Sequence, residues 1–289
     1  MTTEVGDIVR AATARLSAAG VPSPDHDAWT LLTHATGRDR AALLALRSAV
    51  DLPGLDTFEA YVGRRAAREP LQHITGQAPF RRLVLAVGPG VFVPRPETEV
   101  VAGAAIEAAR DVLSAGRSPV VVDLGTGSGA IALAIADEVP RAQVHAVERE
   151  EPAHAWAARN CAGTTVRLVL ADMADALPDL DGTVDVVVSN PPYIPVGARV
   201  RDAEVAEHDP AAALWSGSDG LDDVRVVEDV AARLLRPGGL VVVEHADVQG
   251  QSAPEVFRRS GRWDTVADHA DLAGRDRYLT GVRRSTGEV

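Results

Sequence analysis

The sequence predicts an α/β protein in which a small helical domain and a linking β-hairpin precede a doubly wound, mainly parallel seven-stranded sheet. Apolar residues recur at helical spacing through about the first 70 residues. From residue 118 onward, short apolar runs alternate with helical segments, as expected for parallel strands that crossover helices bury on both faces. Two runs near the carboxyl terminus suit an antiparallel pair. A chain of 289 residues is long enough for one large domain or two unequal ones.

The first two helices have clear start and stop signals. Apolar residues at helical spacing run from Val5 to Leu16, and Gly20 supplies the stop. Ser23 is placed to cap the second helix, because Pro24 follows at the first helical position. The sequence therefore predicts a helix on each side of a short turn.

Two more helices complete the expected helical domain, residues 1–75. We expect them at residues 39–49 and 56–69, and the second ends before Pro70, which cannot continue the helical hydrogen bonding. A linker at residues 76–95 then breaks the pattern. It predicts a β-hairpin whose strands, 83–87 and 91–93, flank a Gly-Pro-Gly turn.

The remaining residues, 96–289, are expected to form the sheet domain. A helix at about residues 97–115 precedes the first strand, and Pro237-Gly238-Gly239 is interpreted as a tight turn into the fifth. The antiparallel pair is expected at residues 263–267 and 278–282. The five parallel strands are predicted at 120–124, 143–147, 166–170, 184–189 and 240–244.

Composition excludes several classes of function. All 29 basic residues are arginine, so a Walker A phosphate loop and a Schiff-base lysine are both excluded. The single cysteine, Cys161, cannot form an intramolecular disulfide and gives no metal cluster, and no metal is expected. The net charge of -12 argues against a protein that coats nucleic acid. No signal peptide and no membrane-spanning run are recognisable, and a cytoplasmic location is expected.

A glycine-rich loop at the end of the first parallel strand predicts nucleoside binding. Three glycines follow a strand and precede a helix that starts near Ala130, and they let a ligand approach the main chain. Glu148 ends the next strand, where a carboxylate can accept hydrogen bonds from both ribose hydroxyls. The spacing G-x-G-x-G differs from the dinucleotide pattern G-x-G-x-x-G. The candidate residues are Asp123, Gly125, Thr126, Gly127, Ser128, Gly129 and Glu148.

Two residues after the third strand have alternative interpretations. Asp172 is placed to meet an adenine amino group, but an aspartate in this position also caps helices. Met173 could pack on the adenine ring or simply belong to the core.

The second candidate site is Asn190-Pro191-Pro192-Tyr193, at the carboxyl end of a buried strand where ligands of open parallel sheets bind. The Asn190 side-chain oxygen and the Pro191 carbonyl can accept both N–H groups of a planar amide and favour charge developing on its nitrogen. Pro191 and Pro192 stiffen the loop, and Tyr193 offers a face for stacking. The alternative is a proline-rich turn in which the asparagine caps its own backbone.

Together with these motifs, the chain resembles the HemK/PrmC-type peptide-chain release factor N5-glutamine methyltransferases almost from end to end. This resemblance implies a Rossmann-like methyltransferase fold. The segments that carry it, besides the two motifs, are residues 69–76, 93–99, 209–214, 220–221 and 244–245.

The resemblance implies methyl transfer from S-adenosyl-L-methionine to the glutamine amide in the Gly-Gly-Gln motif of a release factor, in support of translation termination. It places the cofactor at Gly125–Gly129, Glu148, Met173 and Asn190, and the substrate glutamine at Asn190–Tyr193. The chain departs from the family at Glu148, where aspartate is frequent, and at Met173, where an aromatic residue is common. Interest in His73 and His245 rests on the resemblance alone. Release factors are the expected partners, with no direct nucleic-acid or membrane contact, and a monomer is expected.

Three other functions are compatible with parts of the sequence, and one arginine cluster suggests a docking surface. A DNA methyltransferase would use the same tetrapeptide on an exocyclic amino group, but the acidic balance disfavours it. An NAD-dependent oxidoreductase is disfavoured by the glycine spacing, and a non-catalytic adaptor by the intact amide-holding loop. Arg64, Arg65 and Arg68 cluster at a helix end. They form either a solvated helix terminus or a docking patch for an acidic face of the protein substrate.

Overall fold

A computed structural model describes residues 4–46, 52–200 and 202–285, which divide into two compact units. The helical unit takes Met1–Gln77 together with Val200–His208. The sheet unit takes Ala78–Arg199 and Asp209–Val289. None of the helices in these ranges is long and apolar enough to cross a membrane.

The helices of the described residues are α1 (Val5–Ala18), α2 (Pro24–Thr36), α3 (Arg40–Leu44), α4 (Leu55–Ala66), α5 (Leu71–Thr75), α6 (Thr98–Ser114), α7 (Ala130–Glu138), α8 (Glu151–Cys161), α9 (Ala203–His208), α10 (Asp222–Leu234) and α11 (Ser252–Ser260). The strands are β1 (Gln77–Phe80), β2 (Leu83–Ala86), β3 (Val120–Leu124), β4 (Gln143–Glu148), β5 (Arg167–Leu170), β6 (Val184–Ser189), β7 (Leu235–Glu244), β8 (Trp263–Ala270) and β9 (Asp276–Arg283).

The helical unit is built on amphipathic helices at the expected places. One face of each of α1, α2 and α4 supplies the core, in which Leu16, Leu31 and Phe58 are fully buried. Ser23 precedes α2 as expected, but its side chain makes no capping hydrogen bond. Of the helix expected at 39–49, the structure shows α3, and residues 47–49 lie outside the described residues.

The sheet unit contains the predicted seven-stranded sheet, with strand order β5-β4-β3-β6-β7-β9-β8. Strands β3 to β7 are parallel, and β9 pairs antiparallel with both β7 and β8. Alternate side chains reach different cores: Val121 packs in the core that includes α6 and α7, whereas Val122 packs in the core that includes α10 and α11. The doubly wound α/β prediction is confirmed.

Strand order also explains where a ligand can enter. The chain runs from β3 to β4 and β5 on one side, and then returns to place β6 and β7 on the other. The carboxyl ends of β3 and β6 therefore flank the point at which the winding reverses, where open α/β sheets bind ligands. Leu124 and Ser189 are paired in register, and the Ser189 hydroxyl donates to the Leu124 carbonyl at 2.7 Å. The two candidate motifs follow these neighbouring strand ends.

The linker contains a hairpin, but one of its two strands differs from the prediction. The hairpin is formed by β1 and β2, with Arg81 at a positive φ of 52° in the turn between them, and residues 91–93 form no strand. Gly88-Pro89-Gly90 does form a turn, in which the Val91 N–H donates to the Gly88 carbonyl at 3.4 Å, and its two glycines also allow close packing. A Cβ on Gly88 would lie 2.5 Å from the Trp156 ring, and one on Gly90 would lie 2.9 Å from Pro152.

The turn predicted at Pro237-Gly238-Gly239 is a bulge within a longer strand: Gly238 has a φ of 76°, and continuous pairing with β6 begins at Leu240, as predicted. These residues lie inside β7, where the pairing with β6 shifts register between Val184 and Val186. A Cβ on Gly239 would lie 3.1 Å from the Asp185 carbonyl oxygen, so the glycine allows this irregularity.

Candidate active site

The glycine-rich loop turns the chain from β3 into α7 through three left-handed residues. Gly125, Gly127 and Gly129 have φ values of 71°, 58° and 86°, a region that residues with a Cβ rarely adopt. A Cβ on Gly125 or Gly127 would meet nothing within 4 Å, so the backbone there borders open space. The loop has the properties expected of a surface that a ligand approaches closely.

The end of β4 holds the loop in place. The backbone N–H groups of Gly125 and Thr126 both donate to the Val147 carbonyl at 2.9 Å. The buried Glu148 carboxylate accepts one backbone N–H at each oxygen, from Gly127 and from Glu150, both at 2.9 Å. Glu148 thus already orders the loop with both oxygens, and each oxygen keeps a further lone pair for a ligand hydroxyl.

Asp123 supports the loop from within the protein. Its side chain is 1% exposed, and its Oδ2 accepts from the Thr126 hydroxyl at 2.6 Å and from the Ala132 N–H at 3.1 Å. Burial raises the pKa of Asp123 to about 7, against these two hydrogen bonds, which lower it. Asp123 therefore stabilises the conformation of the glycine-rich loop.

Asp172 and Met173, the two candidates for contact with adenine, both make contacts within the protein. Asp172 is exposed, and its Oδ1 accepts from the Ala174 N–H at 3.0 Å in a local turn. Met173 is half-buried against the core that includes α10 and α11. These contacts account for both residues structurally and leave their part in adenine binding a prediction.

The Asn-Pro-Pro-Tyr loop is anchored at both ends. Asn190 Nδ2 donates to the Thr98 hydroxyl at 3.3 Å. The Tyr193 carbonyl accepts from Gln249 Nε2 at 3.1 Å, and Gly220 packs so closely against the same carbonyl oxygen that a Cβ would not fit there. The segment that follows is held by the Ile194 N–H, which donates to the Leu214 carbonyl at 2.9 Å. These contacts restrict the loop beyond what its two prolines impose.

A buried carboxyl next to this loop was not anticipated. Glu244, at the end of β7, is 1% exposed, and burial raises its pKa to about 7. Hydrogen bonds from the hydroxyls of Thr98 and Tyr193 act in the opposite direction. Burial, followed by the charge of Glu244, raises the pKa of the Tyr193 phenol. The only sequence signals for Thr98 and Glu244 were the resembling segments at residues 93–99 and 244–245.

The two histidines suggested by the resemblance are both buried in the protein. His245 is fully buried, with Nε2 2.7 Å from Asp268 Oδ1 and Nδ1 2.9 Å from the Ala246 carbonyl. His73 is buried in α5 of the helical unit.

The arginine docking patch is wrong for Arg65 and unsupported for its neighbours, because acidic residues of the helical unit neutralise all three. Arg65 is 4% exposed and donates to Asp27 at 2.7 Å and to Glu204 at 2.8 Å. Arg68 also binds Glu204 at 2.8 Å, and Arg64 donates to Glu69 at 2.7 Å. Burial would lower the pKa of Arg65, but the hydrogen bonds to Asp27 and Glu204 raise it overall.

Comparison with known proteins adds family-level information. Residues 7–76 match the model of the PrmC N-terminal domain, and residues 97–207 match that of the methyltransferase small domain. A release factor glutamine methyltransferase of Streptomyces coelicolor is 54% identical over 94% of this chain and 95% of its own. A 4-amino-L-phenylalanine/4-methylamino-L-phenylalanine methyltransferase of Streptomyces pristinaespiralis is 42% identical over 95% of this chain and 94% of its own.

The fold has a solved counterpart. The T. thermophilus 16S rRNA N2 G1207 methyltransferase, solved in complex with AdoMet and guanosine, superposes with a TM-score of 0.51. It is 21% identical, and the superposition covers 72% of this chain and 50% of that one. This likeness concerns the fold.

Proposed function

Because this chain belongs to the release factor glutamine methyltransferase family, we propose that it methylates the N5 amide nitrogen of the glutamine in the Gly-Gly-Gln motif of peptide chain release factors, with S-adenosyl-L-methionine as methyl donor. The observation that carries the proposal is the placement of Asn190-Pro191-Pro192-Tyr193 beside the glycine-rich loop, at the paired ends of β6 and β3.

The glycine-rich loop fits the cofactor. Gly125 and Gly127 border open space, and the carboxylate of Glu148 lies at the loop with lone pairs left for ribose hydroxyls. Asp172 and Met173 are the candidates for contact with adenine. When bound, the cofactor supplies an electrophilic methyl group on a positively charged sulfur.

The Asn-Pro-Pro-Tyr loop would hold the substrate amide. Asn190 Oδ1 and the Pro191 carbonyl each accept one N–H of the glutamine side chain, which orients its nitrogen and stabilises the positive charge that develops there. Pro192 stiffens the loop, and Tyr193 flanks the amide plane. Held in this way, the amide nitrogen would accept the methyl group that the cofactor supplies, and the proton of the cationic product would pass by way of the Pro191 carbonyl to water. No general base is needed before methyl transfer.

The partner, the assembly and the location are further parts of this proposal. We assign the helical region, residues 1–75, to docking of the release factor, residues 76–95 to a linker, and residues 96–289 to methyl transfer. We expect a cytoplasmic monomer that needs neither nucleic acid nor a membrane. The pairing of Arg64, Arg65 and Arg68 with acidic residues directs the search for a docking surface to other parts of the helical unit.

A second candidate is methylation of a small aromatic amine. The Streptomyces pristinaespiralis relative, matched over almost its whole length, is named for 4-amino-L-phenylalanine. An aromatic amino group is also a planar nitrogen with two N–H donors, so the Asn190 and Pro191 acceptors would suit it equally well.

One experiment separates these candidates. The purified protein is incubated with S-adenosylmethionine and either a purified release factor or 4-amino-L-phenylalanine. We expect mass spectrometry to place one added methyl group on the glutamine of the Gly-Gly-Gln peptide. Methylation of the amino acid but not of the release factor would favour the second candidate, and binding of NAD in place of S-adenosylmethionine would contradict both.

A further inference from the structure

One buried hydroxyl group of the sheet unit, that of Thr98, connects the half-buried Asn190 to a carboxyl deep in the protein. Asn190 Nδ2 donates to the Thr98 hydroxyl at 3.3 Å, and that hydroxyl is hydrogen-bonded to Glu244. Thr98 is 3% exposed and Glu244 1%. The Oε2 atom of Glu244 has no hydrogen-bond partner among the described residues. The three groups come from the loop after β6, the first residue of α6 and the last residue of β7.

The orientation of the Asn190 amide matters for the reaction. A side-chain amide carries an acceptor oxygen and a donor NH₂ of similar size, so rotation by half a turn exchanges acceptor for donor with little change in shape. The proposed function needs the oxygen toward the substrate, because the substrate amide presents N–H groups. An NH₂ in its place would oppose those donors.

Thr98 and Glu244 together favour one orientation of the Asn190 amide, because each group can only donate or accept certain hydrogen bonds. An ionised carboxylate only accepts hydrogen bonds, so the single proton of the Thr98 hydroxyl is donated to Glu244. The Thr98 oxygen is then left as an acceptor and binds the Asn190 NH₂. If Glu244 is protonated, it can donate to Thr98, and the hydroxyl proton is free to bind Asn190 Oδ1 in the flipped orientation.

We propose that Glu244, acting through Thr98, is a positioning residue that orients the Asn190 amide and makes this orientation depend on the ionisation of Glu244. The inference rests on the proposed function only for its consequence in turnover, since the orientation itself belongs to the protein without substrate.

The surroundings of Glu244 place its ionisation near neutrality. Burial is the main influence, and together with the smaller effect of the Glu97 charge it raises the pKa of Glu244 to a net value of about 7. The pKa of Glu244 is lowered by Thr98 in α6, by Arg277 in β9 and by Tyr193 in the loop after β6. The carboxyl is therefore ionised above this value, where the productive orientation is favoured, and becomes protonated as the pH falls below it.

The composition of the chain makes a direct test possible, because Asn160 and Asn190 are its only asparagines. Selective labelling with ¹⁵N-asparagine gives two side-chain NH₂ signals. Asn160 serves as the internal control, since its side chain binds the Ala86 N–H and carbonyl and the Ser128 carbonyl, each at 2.8–2.9 Å. We expect the Asn190 signals to shift with one transition near pH 7 and the Asn160 signals to stay constant.

Variants then assign the transition. Thr98→Val and Glu244→Gln should each abolish the Asn190 transition, whereas Thr98→Ser, which keeps the hydroxyl, should retain it. Glu228→Gln is the matched control. Glu228 is a buried glutamate of α10 that accepts hydrogen bonds from Arg262 and Trp263, and its replacement should leave the Asn190 transition in place. Unchanged Asn160 signals show that each variant is folded. A pH-independent Asn190, or a transition that survives in both Thr98→Val and Glu244→Gln, would overturn the proposal.

Kinetics test the consequence separately. With release factor as substrate, kcat of the wild type should fall about tenfold from pH 8 to pH 6. Thr98→Val should lower kcat at pH 8 by roughly three- to tenfold with little change in KM, and should flatten the profile. Full kcat in Thr98→Val would contradict the positioning role. Absence of any methylation by the wild type would instead refute the proposed function and leave the NMR result standing.

Discussion

Two buried sites, one in each unit, handle charge in opposite ways. In the helical unit, the buried Arg65 is enclosed by two carboxylates, Asp27 and Glu204. In the sheet unit, Asp123 and Glu244 are buried among hydroxyl and N–H donors, and burial raises the pKa of each to about 7. The first arrangement is a neutralised cluster suited to holding structure. The second maintains carboxyls that change charge near physiological pH, which is typical of functional sites.

This contrast predicts where substitutions cost stability and where they cost activity. Replacement of Arg65 by Met has the largest expected effect, because it leaves the buried Asp27 carboxylate without its cation, whereas Glu204 keeps Arg68. We expect the free energy of unfolding to fall by about 3–5 kcal/mol, measured by urea denaturation.

Arg64→Gln is the matched control for Arg65→Met. It removes a partly exposed pair with Glu69 and should cost less than about 1 kcal/mol. Equal losses in the two variants would remove the distinction between the buried cluster and an ordinary surface pair.

The second prediction concerns the sheet unit, where Asn190→Ala should reduce kcat by about 100- to 1,000-fold. The asparagine oxygen interacts most strongly with the charge of the transition state, so binding of S-adenosylmethionine should fall much less. Single-turnover rates and calorimetric titration measure the two effects. A full single-turnover rate would show that another group holds the amide.

Asn190→Asp sharpens this prediction. It keeps an acceptor but adds a negative charge, and it removes the donor that binds Thr98. We expect residual turnover with an altered pH profile, which a pH series of kcat would reveal. An unaltered profile would argue against the coupling of Asn190 to Thr98 and Glu244.

The third prediction concerns Glu148, which both orders the glycine-rich loop and faces the proposed ribose. Glu148→Ala should weaken cofactor binding by roughly 1.5–3 kcal/mol through loss of charge-assisted hydrogen bonds. Glu148→Asp should cost less, although its shorter arm strains the contacts with the Gly127 and Glu150 N–H groups. Equal losses measured by calorimetry would contradict a two-oxygen role.

The smallest expected effect is on the pH dependence of stability at Asp123. Its pKa is raised in the folded protein, so its stabilising contribution is complete below the unfolded-state pKa of about 4 and is lost as the pH rises toward 7. Asp123→Asn cannot ionise and should remove on the order of 1–2 kcal/mol of that loss. Thermal unfolding at pH 5 and pH 8 measures the difference. An identical pH dependence in wild type and variant would show that Asp123 is not the group responsible.

Local sequence patterns determined the architecture and the two principal motifs. Helical periodicity in the amino-terminal region and apolar runs after residue 118 were sufficient to predict the first helices and the positions of the parallel strands along the chain. Val120–Leu124 and Val184–Ser189 were predicted to the residue, because each is a short valine-rich run that ends at a clear turn signal. The positions of the glycine-rich loop and the Asn-Pro-Pro-Tyr loop followed from their place at strand ends.

The tertiary structure decided what depends on partners far apart in sequence. Gly88 and Gly90 resemble a hairpin turn locally, but they accommodate α8. Arg65 resembles a surface cation, yet its partner Glu204 is 139 positions away in a segment that returns to the helical unit. Thr98 and Glu244 likewise meet Asn190 only because α6, β6 and β7 are packed together. Residue patterns report the preferences of neighbouring positions, whereas burial and ion pairing are set by groups that folding brings together.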